Sequence, residues 1–160
     1  TSDHGLAVGS HGLMGKQNPY DHSIRMPFLI SGPGIPRDKK VKEMIYMQSV
    51  YPTTCELAGL PIPESVDFPG LRDLILGKQE KGEDHVYGCY QDTQRLVRSQ
   101  THKLIFYPKL NRYQLFDLVK DPHEITDQFG NPSYKKIRAE LAQKMNQKRR
   151  ELGDGLLAVK

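Results

Sequence analysis

Short apolar runs separated by turn residues dominate the second half of the chain. His85–Tyr90, Arg95–Ser99 and Lys103–Tyr107 are brief and rich in Val, Ile, Tyr and Phe, the composition of strands. Gln100-Thr101-His102 joins the second to the third with a hairpin-length link, and Tyr113–Asp117 is a fourth candidate. Together they predict a small antiparallel sheet. From Asn131 the period changes to that of a helix. Tyr134, Ile137, Leu141, Met145 and Leu152 fall on one face, and Gly153 follows as a stop. This helix is expected to cover one face of the sheet in α+β packing.

The first half is patterned differently. Met26–Ile30 is an apolar run between Arg25 and Ser31-Gly32-Pro33-Gly34, which predicts a buried strand of an α/β sheet with Pro27 at its start or edge. Val41–Met47 is a second possible strand. Ser49–Ala58 predicts a helix with Val50, Thr54, Leu57 and Ala58 on one side and Gly59 as its stop. Leu60–Pro69, with several prolines, is expected as extended loop, and Leu71–Leu76 as a short helix ended by Gly77. Polar Lys78–Asp84 marks a boundary. The expectation is a larger α/β part over residues 1–80 and a small α+β subdomain over 81–160.

Composition narrows the classes. Apolar residues make up 37% and charged residues 26% of the 160 residues, which suits a folded domain with a modest core. No run approaches the ~20 apolar residues of a membrane span, so no membrane is expected. The formal charge is +4, with much of the excess in Lys135, Lys136, Arg138, Lys144, Lys148, Arg149 and Arg150. No aromatic residues alternate with these cations, and Glu140 and Glu151 interrupt them. A solvated helix face is the expectation, and no nucleic acid. The first residue is Thr, so the chain is expected to be processed or part of something longer.

Candidate chemistry lies at the start. Asp3 and His4 pair a carboxylate with an imidazole, two types that can share a divalent ion. Gly5, Gly9, Gly12 and Gly15 then lead to an isolated cation, Lys16. A compliant loop returning that lysine toward the pair would bind a phosphate- or sulfate-like group. The alternative is an Asp that caps a helix beside a solvated His. His11 can serve a leaving oxygen as proton or hydrogen-bond donor, or simply pack. His22 and Arg25 are expected to be structural, with Arg25 bracing Asp3 or Asp21 in a bidentate pair. A hard ion takes six or so ligands, so the rest come from distant positions or from outside the chain. There is no nucleophile elbow and no P-loop, and neither Cys55 nor Cys89 is placed like an activated thiol.

The phrases themselves resemble a known family. TSDHG, the HGLxGK run from His11 to Lys16, Tyr20-Asp21, SIRMP from Ser23 to Pro27, and SGPGIP from Ser31 to Pro36 appear in the order seen in the type I sulfatases of the alkaline phosphatase superfamily. PTTCELAGLPIP and YQLFDLVKDPHE resemble later phrases of the same family, so the likeness covers most of the chain. The resemblance implies the C-terminal part of an alkaline-phosphatase-like α/β sheet plus a small antiparallel four-stranded sheet covered by a C-terminal helix. It implies Asp3 and His4 as ligands of calcium, or sometimes magnesium, and Lys16 against the sulfate. Formylglycine is expected as nucleophile in the parent protein, but the C-x-P-x-R motif that carries it is absent here, as are the family's N-terminal paired aspartates.

The expected partners are therefore a sulfated small molecule or glycan and the remaining N-terminal part of a sulfatase. Periplasmic, secreted or lysosomal residence is implied by resemblance alone. The expected function is the C-terminal portion of a sulfatase, inactive alone, that supplies part of the metal and sulfate site but not the nucleophile. The alternatives are a phosphonate or phosphodiester hydrolase of the same superfamily, and a non-catalytic binding module using the basic helix.

Overall fold

The computed structural model describes residues 1–155. Contacts sort these into two units: residues 1–27 together with the segment from His85 onward, and Phe28–Asp84. These are groupings by packing within this chain, and each is described by itself.

In the first unit, β3 (Val86–Tyr90), β4 (Gln94–Arg98), β5 (His102–Tyr107) and β6 (Arg112–Asp117) form an antiparallel sheet in chain order. The register opposes Leu96 to Ile105 and Leu104 to Leu115, so alternate residues sort cleanly to two faces. On one face Tyr87, Val97, Leu104, Phe106 and Leu115 pack against Leu141 and Met145 of α4 (Lys135–Glu151). Each fully buried Leu or Val there contributes about 1.5–3 kcal/mol. Strong helix formers fill α4. Ahead of it, Asn131 accepts a hydrogen bond from the Ser133 amide at 3.0 Å in a short 3-10 turn begun by Pro132.

The opposite face is covered as well. Leu96, Ile105, Phe116 and Leu118 pack against Tyr20, Ile24 and Tyr107. The N-terminal segment thus lies on the sheet, with α1 (Asp21–Ile24) as its contact helix. Two further strands, β1 (Ala7–Val8) and β2 (Met14–Gly15), pair antiparallel as a hairpin.

In the second unit, a 3-10 turn over Met47–Ser49 runs into α2 (Val50–Ala58), and α3 (Arg72–Leu76) follows the proline-rich loop. Both helices end at left-handed glycines, Gly59 and Gly77. Leu71, Leu74 and Ile75 form a cluster with Phe28, Ile35 and Ile45. The buried residues of α2 are Pro52, Thr53 and Cys55, not the expected stripe of Val50, Thr54, Leu57 and Ala58. Thr53 is the reason: its hydroxyl donates to Ser49 O at 2.5 Å and accepts the Leu71 amide at 2.9 Å, which turns that side inward.

The mixed helix-and-sheet class and the helix-covered four-stranded sheet are as expected from sequence. Two strands are not. Met26–Ile30 forms no strand, and Leu29 is 79% exposed. A buried parallel strand needs neighbours on both edges and cover on both faces, and the described residues pair none with it. Val41–Met47 contributes only the single bridge between Met44 and Glu83. Among the described residues no helix is long and apolar enough to cross a membrane.

Candidate functional site

The hairpin explains how residues far apart in sequence meet. Ala7 pairs with Gly15 and Val8 with Met14, so the residues just before β1 lie beside the residue just after β2. His4 and Lys16 are those residues. The Lys16 ammonium donates to His4 Nε2 at 2.7 Å. His4 Nδ1 lies 2.8 Å from the carbonyl oxygen of Gly5, which can only accept. The proton therefore sits on Nδ1, and the Nε2 lone pair accepts from Lys16.

Asp3 completes the group. Its Oδ2 lies 3.3 Å from His4 Nε2, and its side chain is 77% exposed. Ser2 Oγ donates to His4 O at 2.7 Å and anchors the turn. The Asp3 carboxyl lies below its ordinary value. Desolvation raises it, and the His4 ring, local backbone amides and the Lys16 charge together outweigh that effect.

Asp3 and His4 thus bring two donor atoms together beside one ammonium. Neighbouring ligands of one ion at about 2.3 Å, subtending about a right angle, stand about 3.3 Å apart, a separation that Oδ2 and Nε2 match. They remain two of the six or more such an ion takes. Among the described residues no group of three His, Cys, Asp or Glu side chains is gathered for a metal.

His11 is not gathered with the trio. It lies in the turn between β1 and β2, at the opposite end of the hairpin from Lys16, with a left-handed φ of 57°. Its ring stacks on Tyr20 at 4.0 Å, and the His22 ring lies 5.5 Å from it. Arg25 does not make the expected bidentate pair. It is exposed and reaches Asp21 only at 3.9 Å. Arg98 holds that carboxylate instead, through Nε at 3.2 Å and Nη2 at 3.1 Å.

Sequence reasoning missed the charges behind this arrangement. Lys103 is 0% exposed. Its ammonium lies 2.5 Å from Asp21 Oδ1, 2.6 Å from Glu124 Oε1 and 3.1 Å from Pro19 O. Glu124 Oε2 accepts the Asp21 amide at 2.7 Å. Two signals were available. Lys103 is in step with Ile105 on the buried face of its strand, opposite Arg98. Asp21 and Glu124 both sit inside the phrases that carry the sulfatase resemblance.

Known proteins share this sequence and fold. An arylsulfatase of Clostridium perfringens is 33% identical over 141 residues, which cover 84% of this chain and 29% of that protein. A 2-O GAG sulfatase structure superposes with a TM-score of 0.84 at 30% identity, covering 95% of this chain and 35% of that one. The phosphonate monoester hydrolase of Agrobacterium radiobacter shares the fold, with a TM-score of 0.79 at 24% identity over 94% of this chain and 34% of that one. This chain thus spans about a third of the length of these relatives.

The fold and these relatives place the chain in the sulfatase family of the alkaline phosphatase superfamily, over that family's C-terminal portion. The sequence profile of the N-sulphoglucosamine sulphohydrolase C-terminal family matches residues 9–151, and this chain belongs to that family.

Proposed function

We propose that the protein of which this chain forms the C-terminal portion hydrolyses sulfate esters. Asp3 and His4 supply two ligands of a calcium or magnesium ion, and Lys16 binds the ester's anionic oxygens. The observation that carries this is the Lys16 ammonium at 2.7 Å from His4 Nε2, with the Asp3 carboxylate alongside. A bound ion supplies Lewis-acid charge to the sulfate oxygens.

The chain's own residues do the rest. Gly5 O fixes the His4 tautomer, so Nε2 presents a lone pair. Asp3 and His4 would hold the ion, and Lys16, whose ammonium stands 2.7 Å from His4 Nε2, would bind the anionic group beside it. There the lysine's charge would stabilise negative oxygens in a fixed direction. His11, stacked on Tyr20, holds the hairpin turn in place. The nucleophile lies outside this chain, so the chain alone is expected to show no turnover.

A sulfated glycan or small sulfate ester is the substrate class, supported by the 2-O GAG sulfatase among the relatives. The phosphonate hydrolase neighbour shares the fold alone, so matched esters must decide between the two chemistries. A binding module built on α4 is less favoured, because Arg149 in its basic run is buried.

The test uses the full-length protein with matched sulfate, phosphate and phosphonate monoesters. Sulfate esters are expected to be preferred. Lys16→Met and His4→Ala are each expected to lower kcat/KM on the sulfate ester by about 100-fold or more. Preference for a phosphonate ester would replace the sulfatase assignment. Unchanged kcat/KM in both variants would remove these residues from the site.

A further inference from the structure

A buried charge cluster stands behind the trio. Four charges, Asp21, Glu124, Arg98 and Lys103, balance in a site where Lys103 is wholly enclosed. Burying charges in this way stabilises little compared with apolar packing of the same volume. Its distinctive property is direction. Asp21 is held through both carboxylate oxygens by Arg98 and Lys103, and through its amide by Glu124. Apolar packing could seat α1 on the sheet, but it would not fix the rotation of that helix. A helix of four residues has no stability of its own.

The held helix grips the trio in turn. Ser23 is buried in α1, and its backbone oxygen accepts the Gly5 amide at 2.8 Å. The carbonyl of the same glycine fixes the His4 ring through Nδ1 at 2.8 Å. Directional contacts run from Lys103 and Glu124 to Asp21; the backbone of α1 carries them on to Ser23, and Ser23 O and Gly5 O carry them to His4.

We infer that Lys103 and Glu124 are positioning residues for His4: they fix α1 through Asp21, and α1 fixes the imidazole through Gly5. This rests on the proposed role of His4 as a metal ligand. Neither Lys103 nor Glu124 touches the ion. Each acts by keeping Nε2 in one place, as the outer partners of metal-bound histidines do.

The test measures calcium affinity of the full-length protein by titration calorimetry, well below the melting temperature of each variant. Lys103→Met is expected to weaken calcium binding about tenfold or more. His4→Ala is expected to weaken it too. In the His4→Ala background, Lys103→Met is expected to add nothing, because its effect passes through that ring. Where Lys103→Met fails to fold, Glu124→Gln is read instead, since it removes the carboxylate that pairs with Lys103.

The failures are distinguishable. If His4→Ala leaves calcium affinity unchanged, the metal-ligand assignment falls. If His4→Ala weakens binding while Lys103→Met or Glu124→Gln lowers only the melting temperature, the positioning inference falls alone. Additive effects in the double variant would overturn it as well.

Discussion

The Gly5 amide donates to the Ser23 carbonyl oxygen at 2.8 Å, so the turn carrying His4 rests directly on α1. The approach leaves no room for a side chain. A Cβ at Gly5 would stand 2.0 Å from the carbonyl oxygen of His22, a backbone atom that cannot step aside cheaply. Gly5→Ala is therefore expected to destabilise the protein by about 1–3 kcal/mol and to push the turn off the helix. Sulfate-ester hydrolysis by the full-length variant should fall at least about tenfold even where the protein remains folded. Denaturant melts paired with kinetics check this. Native kinetics in the variant would show that His4 does not depend on this contact.

Asp21 makes a pH dependence. Burial alone would raise its carboxyl, but the Lys103 ammonium and the Arg98 guanidinium outweigh burial and hold it below the ordinary value of 3.8. The unfolded chain then binds a proton more readily than the native one as pH falls. The contribution is complete above the ordinary aspartate value and drains away as pH drops through it toward the lowered native value. Urea melts between about pH 6 and pH 2 should show this loss, with a shallower slope for Asp21→Asn. The same slope in both proteins would mean that the cluster does not act through this carboxylate.

The second half of the chain was legible because its alternation is regular. Val97, Leu104 and Leu115 alternate with polar or oppositely facing neighbours, and each strand was found within one or two residues. The meeting of Asp3, His4 and Lys16 was legible because glycines mark a returning loop. Met26–Ile30 misled because its composition describes a sheet environment that the described residues do not contain. Lys103 and Arg98 were hidden by their type: charged residues in a strand read as solvent-facing, although their register placed them inward. Glu124 comes from a turn and is buried by contacts distant in sequence, which no local period can signal.

Arg149 shows the same lesson in a helix. Leu141, Met145 and Arg149 are spaced by four, so the arginine belongs to the buried stripe and not to the solvated face assigned to it from charge alone. It is 5% exposed, whereas Lys135, Lys136 and Arg150 are exposed. Arg149→Gln should lower the melting temperature by several degrees, because it disturbs a buried guanidinium near Asp154. Lys136→Gln should leave the melting temperature and sulfatase activity unchanged. Calorimetric scans of the two variants check this. Equal scans would return Arg149 to the surface.

Asp154 gathers several buried partners at the end of α4. Its carboxylate accepts from Arg95 Nε at 2.5 Å and Arg95 Nη2 at 3.1 Å, lies 3.4 Å from Arg149 Nε, and accepts the Tyr87 hydroxyl. Burial pushes that hydroxyl far above its ordinary value, and the hydrogen bond to Asp154 adds to the shift. Among the described residues, removing the carboxylate leaves Arg95, enclosed at 2% exposure, with the carbonyl oxygens of Gln91 and Gln94. Asp154→Ala is expected to cost about 3 kcal/mol, toward the lower end for a broken buried pair. Asp92 provides the control. It pairs with Lys109 at 2.9 Å, but both side chains are about half exposed or more, and solvent screens the pair. Asp92→Ala should leave the denaturation midpoint where it was. If the two variants move the midpoint equally, the Asp154 carboxylate does not tie the end of α4 to the sheet.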